Sequence, residues 1–110
     1  MTSIDVRAAD GGVVLAQSGR LTVVTAPQLR ATVTERLAAG DRLIVVDLST
    51  TEFVDSSGLG TLVSCLKAAR QAGGDLRIVA PTEQVAMVLR MTNLDRILKP
   101  RASVDDALQG

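Results

Sequence analysis

The sequence predicts a single α/β domain: a mixed β-sheet that begins with an N-terminal hairpin and carries its helices mainly on one face. Three observations support this. Alternating apolar and polar residues flank a glycine turn near the start. Two short apolar runs rich in β-branched residues sit at 43–46 and 76–79. Helix-period segments, each opened by a capping residue, alternate with those runs. At 110 residues, 46% of them hydrophobic, the chain is expected to fill one core and form one domain over residues 1–110.

Ile4 and Val6 alternate with Asp5 and Arg7, Asp10-Gly11-Gly12 supplies turn chemistry, and Val13-Val14-Leu15-Ala16 resumes an apolar run; together they read as a β-hairpin. Thr25-Ala26-Pro27-Gln28 matches a capping box with proline in the first turn. Leu29, Val33 and Leu37 follow at four-residue spacing until Gly40 stops this first helix. Leu43-Ile44-Val45-Val46 has the pattern of a strand covered on both faces and is expected at the centre of the sheet. A second helix is predicted over about 57–72, with Leu59, Leu62, Val63, Leu66 and Ala69 on one stripe and Gly73-Gly74 closing it. Residues 76–79 read as another central strand. Pro81-Thr82-Glu83 opens a third helix with Val85, Val88 and Leu89 inward, Ile97-Leu98 is expected as a last short strand, and 103–108 as a terminal helix.

Composition narrows the chemistry. Twelve basic and twelve acidic residues cancel, so there is no electrostatic footprint for nucleic acid and no basic run for a membrane surface. One cysteine forms no intramolecular disulfide, and no apolar segment follows a basic start, so a cytoplasmic protein is expected. With no histidine, neither a Ser-His-Asp nor a Cys-His site can be built within this chain, and the commonest metal ligand is missing. No phosphate-binding Gly-x-x-x-x-Gly-Lys loop is present, so autonomous nucleotide hydrolysis has no motif behind it; no cofactor, resident metal or enzymatic activity is expected. Phe53 is the one aromatic residue, which leaves any binding surface to small and aliphatic groups. Cys65, near the edge of the apolar stripe, reads as a packed thiol, and Met87 and Met91 as core or helix-edge fillers.

The most informative stretch is Phe53-Val54-Asp55-Ser56-Ser57-Gly58-Leu59-Gly60, where two hydroxyls stand at the start of the second helix. A helix N-terminus offers unpaired N–H groups and a positive dipole end, which can hold a phosphate. Simple N-capping needs only one side chain, whereas three capping types are stacked here before a glycine. Gly58 and Gly60 are expected to keep the serines accessible to a bulky partner. Rotation at 100° per residue also groups Ser57, Gly60, Thr61, Ser64 and Ala68 opposite the apolar stripe. That nearly uncharged face is predicted to be a docking surface, since solvated faces usually carry Lys and Glu.

With its Val46-Asp47-Leu48 lead-in and the helix that follows, this Asp-Ser-Ser-Gly motif resembles the signature of bacterial anti-sigma factor antagonists, whose fold is the STAS domain. The resemblance covers nearly the whole chain and implies the same mixed-sheet architecture. It further implies that Ser56, the first serine, is phosphorylated by a partner anti-sigma factor that is itself a serine kinase. The unphosphorylated form would bind that partner and free a sigma factor, and a separate serine phosphatase would reset the cycle. The expected partner surface comprises Thr22, Asp55, Ser56, Ser57, Gly58, Gly60, Thr61 and Ser64. One departure stands in Gly19-Arg20-Leu21-Thr22: family members commonly carry an acidic residue where this chain has Thr22, which bears on the choice of partner kinase. The alternatives are a constitutive STAS scaffold in a transport or stress-sensing assembly, with Ser56 never modified, and a small serine hydrolase. The hydrolase reading lacks both a histidine and a Gly-x-Ser-x-Gly motif.

Overall fold

The computed structural model describes residues 3–109. Strand β1 (Ser3–Ala9) turns back on β2 (Gly12–Leu21) through Asp10-Gly11, with Gly11 supplying the left-handed φ of 91° that the tight turn requires. Helix α1 (Ala26–Ala38) carries the chain over to β3 (Leu43–Val54), which pairs parallel to β2. Helix α2 (Ser56–Gln71) then leads to β4 (Asp75–Val79), parallel to β3. The sheet order is β1-β2-β3-β4, mixed as expected. Helices α3 (Glu83–Met91), α4 (Asp95–Leu98) and α5 (Val104–Gln109) complete the described chain.

Strand alternation sorts the core into two parts. Val13 and Leu15 of β2, with Ile44, Val46 and Leu48 of β3, point to one face. There they meet Leu29 and Val33 of α1, Leu62 and Leu66 of α2, and Val85 and Leu89 of α3. Val14, Val45 and Val79 point to the other face, where α5 covers them with Ala107 and the partly buried Val104 and Leu108. The continuous apolar runs follow from this: both neighbours of every residue along the strand meet a helix.

The structure corrects four expectations. β4 is an edge strand and not a central one. Beyond it, among the described residues, lies only an isolated bridge from Val79 to Arg101, and its apolar run reflects cover above and below the sheet. Ile97 and Leu98 belong to helix α4, where the Leu98 amide bonds the Leu94 carbonyl at 2.9 Å and Leu98 packs into the main core. A two-residue apolar pair cannot distinguish these states by periodicity. The capping box at Thr25 does not form: its hydroxyl donates to the Arg20 carbonyl at 2.6 Å and accepts the Thr22 amide at 2.9 Å, so it braces the preceding loop instead. Met87 and Met91 are 45% and 75% exposed, so of the core and helix-edge readings only the helix edge stands. β3 also runs further than its apolar segment. Two register shifts let residues 44–54 lie opposite the shorter stretch 13–21 of β2, and the extension delivers the chain directly to α2.

Leu62 is fully buried between α2 and the sheet, so Leu62→Ala removes apolar contacts and leaves a cavity. A loss of about 2–5 kcal/mol in urea-unfolding stability is expected.

Candidate functional site

The site is built where β2 and β3 end side by side. Asp55 follows β3 in an extended conformation, φ −103° and ψ −177°, and becomes the N-cap of α2. One of its carboxylate oxygens, Oδ1, accepts the Gly58 amide at 2.8 Å; the other, Oδ2, accepts the Val23 amide at 3.2 Å. Its own amide donates to the Leu21 carbonyl at 3.2 Å, and its carbonyl accepts the Leu59 amide at 3.0 Å. One residue thus ties the end of β2, the loop at 22–25 and the first turn of α2 together. With the Gly58 and Leu59 amides engaged, those of Ser56 and Ser57 remain at the helix tip, where no intrahelical carbonyl can reach them. Both serines are exposed.

The two glycines differ. A Cβ on Gly58 would lie 2.3 Å from the Leu21 carbonyl oxygen and 2.8 Å from Val54 Cγ2, so the absent side chain is what lets α2 lie against β2. Its role is close packing, a correction to the expectation that it serves access. Gly60 is exposed, and a Cβ there would meet nothing within 4 Å, consistent with access.

The predicted docking face is also split. Thr61 is only 6% exposed, and Ser64 and Ala68 are half-buried, because α1 packs alongside this flank of α2. Small residues there let the two helices approach, so they serve intramolecular packing, while Ser56, Ser57 and Gly60 stay open. Thr22 is half-buried: its hydroxyl accepts the Val24 amide at 3.3 Å and its carbonyl accepts the Thr25 and Ala26 amides at 3.1 and 2.7 Å. This loop presents Val23 and Val24 to solvent at 64% and 82% exposure. A groove of about 590 Å³ runs from Val23 and Ser57 between α1 and α2, past Pro27, Arg30 and Thr61. Sequence reasoning missed the valines and the groove. The available signal was a pair of β-branched residues between a strand and a helix cap, where polar turn residues are usual.

Phe53 is half-buried with the Arg20 guanidinium 4.5 Å from its ring centroid, a cation–π contact beside the loop. Cys65 is buried on the inner side of α2, and burial pushes its thiol up to about 11, with Arg30 nearby pulling the other way. A thiol held in that form is a poor nucleophile. Among the described residues, no group of three or more His, Cys, Asp or Glu could hold a metal ion, and no helix is long and apolar enough to cross a membrane.

The model of the STAS domain family matches residues 3–107. The chain is 41% identical over 75 residues to a Thermotoga neapolitana protein named as a candidate anti-sigma factor antagonist; the aligned stretch is 68% of this chain and 66% of that relative, just under two thirds of its length. It is 32% identical over 80 residues to the anti-sigma-B factor antagonist of Staphylococcus aureus, covering 73% of this chain and 74% of that protein. The crystal structure of an anti-sigma factor antagonist from Mycobacterium paratuberculosis superposes with a TM-score of 0.87 at 29% identity, over 99% of this chain and 92% of that one. The chain therefore belongs to the STAS domain family, with the α/β mixed-sheet fold the motif implied. Its relatives carry the name anti-sigma factor antagonist.

Two expected outcomes follow from the site. Gly58→Ala forces α2 away from Leu21 and is expected to cost about 1–3 kcal/mol, whereas Gly60→Ala gains up to about 1 kcal/mol of helix propensity, both measured by urea unfolding. The second concerns pH. The Cys65 thiol is raised from 9.0 to about 11 in the folded chain, so between these values the unfolded state loses its proton first. Stability is therefore full below pH 9 and falls as pH rises toward 11. The chain has no tyrosine to mask this, and Cys65→Ala should flatten that part of the unfolding profile.

Proposed function

We propose that the protein is an anti-sigma factor antagonist that works by partner switching, with Ser56 as its switch. The observation that carries this reading is the exposed Ser56 hydroxyl on the first turn of α2, next to two free helix-tip amides and held in place by the Asp55 bridge. Unphosphorylated, the protein docks through this turn and the loop at 22–25 onto an anti-sigma factor with serine kinase activity, which lets go of its sigma factor. Val23, Val24, Ser57 and Gly60 supply exposed contact surface around the hydroxyl. The kinase supplies ATP, Mg²⁺ and the base. The Ser56 Oγ attacks the terminal phosphorus, its proton passes to that base, and ADP leaves. The protein acts as substrate and switch in the cytoplasm, not as an enzyme, and a separate serine phosphatase resets it.

The phosphate would break the interface and spare the fold. It adds about −1.5 to −2 charges at the positive end of α2, beside free N–H donors, so the isolated domain tolerates it. Docked against a kinase pocket that already holds phosphate, one like charge about 5 Å away costs roughly 3 kcal/mol at an effective dielectric near 20. Repulsion of that size weakens binding on the order of a hundredfold.

With the cognate kinase and ATP, Ser56→Ala is expected to abolish phosphate incorporation while keeping partner binding, and Ser57→Ala to retain incorporation. The phosphorylated wild type should keep its Tm and lose affinity. Intact mass of protein recovered from cells adds an independent readout. Absence of any phosphorylated fraction under all growth conditions would favour the constitutive scaffold, and equal loss of incorporation in both serine variants would remove the assignment to Ser56.

A further inference from the structure

We propose that the protein self-associates through the free edge of β1, with a second copy adding its own β1 antiparallel across a two-fold axis so that one sheet runs through both. The two edges of the sheet are built differently. β4 has five residues, and its outer side is engaged by the segment around Arg101, whose amide bonds the Ile78 carbonyl at 2.9 Å and whose carbonyl accepts the Ala80 amide at 2.8 Å. β1 has seven residues, contains neither proline nor glycine, and keeps an unbroken register with β2 from Ser3↔Ser18 to Ala9↔Gly12. Among the described residues, β1 has no bulge, no proline and no strand covering its outer side; its charges, Asp5 and Arg7, are of opposite sign.

The register fixes which groups face outward. Ala9 and Gly12 flank a two-residue turn and form a hydrogen-bonded pair, so by alternation Ser3, Asp5, Arg7 and Ala9 bond to β2. Ile4, Val6 and Ala8 therefore aim their N–H and C=O groups away from the sheet. Two antiparallel copies of β1 can meet about an axis at any of several residues. An axis at Asp5 sets that carboxylate against its own copy, and an axis at Arg7 does the same for the guanidinium. An axis at Val6 pairs the strand over its whole length, with Ile4 opposite Ala8, Val6 opposite Val6, and Asp5 opposite Arg7 of the second copy on both sides of the axis.

That arrangement uses side chains that are otherwise idle. Asp5 and Arg7 are exposed and form no ion pair among the described residues, and Val6 is 46% exposed on the face toward the helices. Self-pairing about Val6 gives each charge an opposite partner and covers Val6 with its own copy, the self-complementarity that a two-fold interface needs. The second copy adds beyond β1, with β2 between it and the strand that carries the serine turn, so this association goes beyond the phosphoswitch and does not rest on it. A paired edge of seven residues is a small interface, and a micromolar dissociation constant is expected.

Sedimentation equilibrium over a concentration series tests this directly. The wild type should pass from monomer to dimer. Asp5→Arg alone, or Arg7→Asp alone, places like charges opposite each other at both pairs and should weaken association at least tenfold, with thermal unfolding showing that each variant is folded. The double variant Asp5→Arg/Arg7→Asp exchanges the charges and should restore the dimer. In hydrogen exchange, the amides of Ile4, Val6 and Ala8 should slow as the wild-type concentration rises. A wild type that stays monomeric at every concentration overturns the proposal. So does a dimer that is indifferent to the single swaps, or one that the double swap fails to restore.

Discussion

The Asp55 carboxylate and the bare backbone of Gly58 set the geometry on which the rest of the site depends. A carboxylate accepting two backbone amides, one from the helix it caps and one from a loop remote in sequence, locks those segments together. Such a cap contributes about 0.5–2 kcal/mol to stability, but its positional effect is larger than that suggests. The loop at 22–25 has little core of its own; Val23 and Val24 point to solvent. Its conformation rests on the Asp55 bond and on the Thr22 and Thr25 hydroxyls, so any movement of α2 is passed to it. Gly58 keeps the helix tip against Leu21 at a separation that a single Cβ would abolish.

This frame explains how a site can be exposed without being loose. The serines stand on the first turn of a long helix whose next turns bury Leu59, Leu62, Cys65 and Leu66. That packing holds the helix axis, Asp55 holds its tip, and the extended end of β3 holds Asp55. Exposure of Ser56 and Ser57 therefore costs the core nothing. A charge added there meets solvent, free amides and the helix dipole, and buries no apolar surface.

Elements whose signals are local were legible in the sequence. The Asp10-Gly11-Gly12 turn, the four-residue spacing in α1, the stripe of α2 and the Asp-Ser-Ser-Gly start each act within a few residues, and each is where the pattern put it. The misses share one cause. Periodicity reports which side chains are buried, and it is silent on what buries them. Residues 76–79 are covered by α2 and α5 above and below, so they read like a central strand although one edge has no strand neighbour. Thr61 is buried and Ser64 half-buried on a helix that packs against α1, and small uncharged residues there look, from the sequence, the same as a face waiting for a partner. Thr25 carries the right residue type for a cap, yet the Arg20 carbonyl and Thr22 amide, brought near by the loop, hold its hydroxyl. Gly58 stands out in the sequence beside the serines, but its constraint comes from Leu21, far away along the chain.

The two sheet faces and two sheet edges show a further division of labour. The large face holds α1 to α3 and most of the core, while α5 alone closes the other face, with Arg77 Nη1 donating to the Ala107 carbonyl to fasten its end. One short helix suffices there because Val14, Val45 and Val79 form a narrow strip across three neighbouring strands. The strip stops short of β1, where Arg7 stands in register with Val14 and Val45, and Asp5 with Ala16 and Asp47. Cover for the sheet thus thins from β3 outward to β1, on the helix face as well, where Val6 remains half open. The exposed serine turn and the open edge at β1 therefore arise from different constraints: the first is a rigid tip exposed by the geometry of its cap, the second a margin that the core of a small domain is too small to reach.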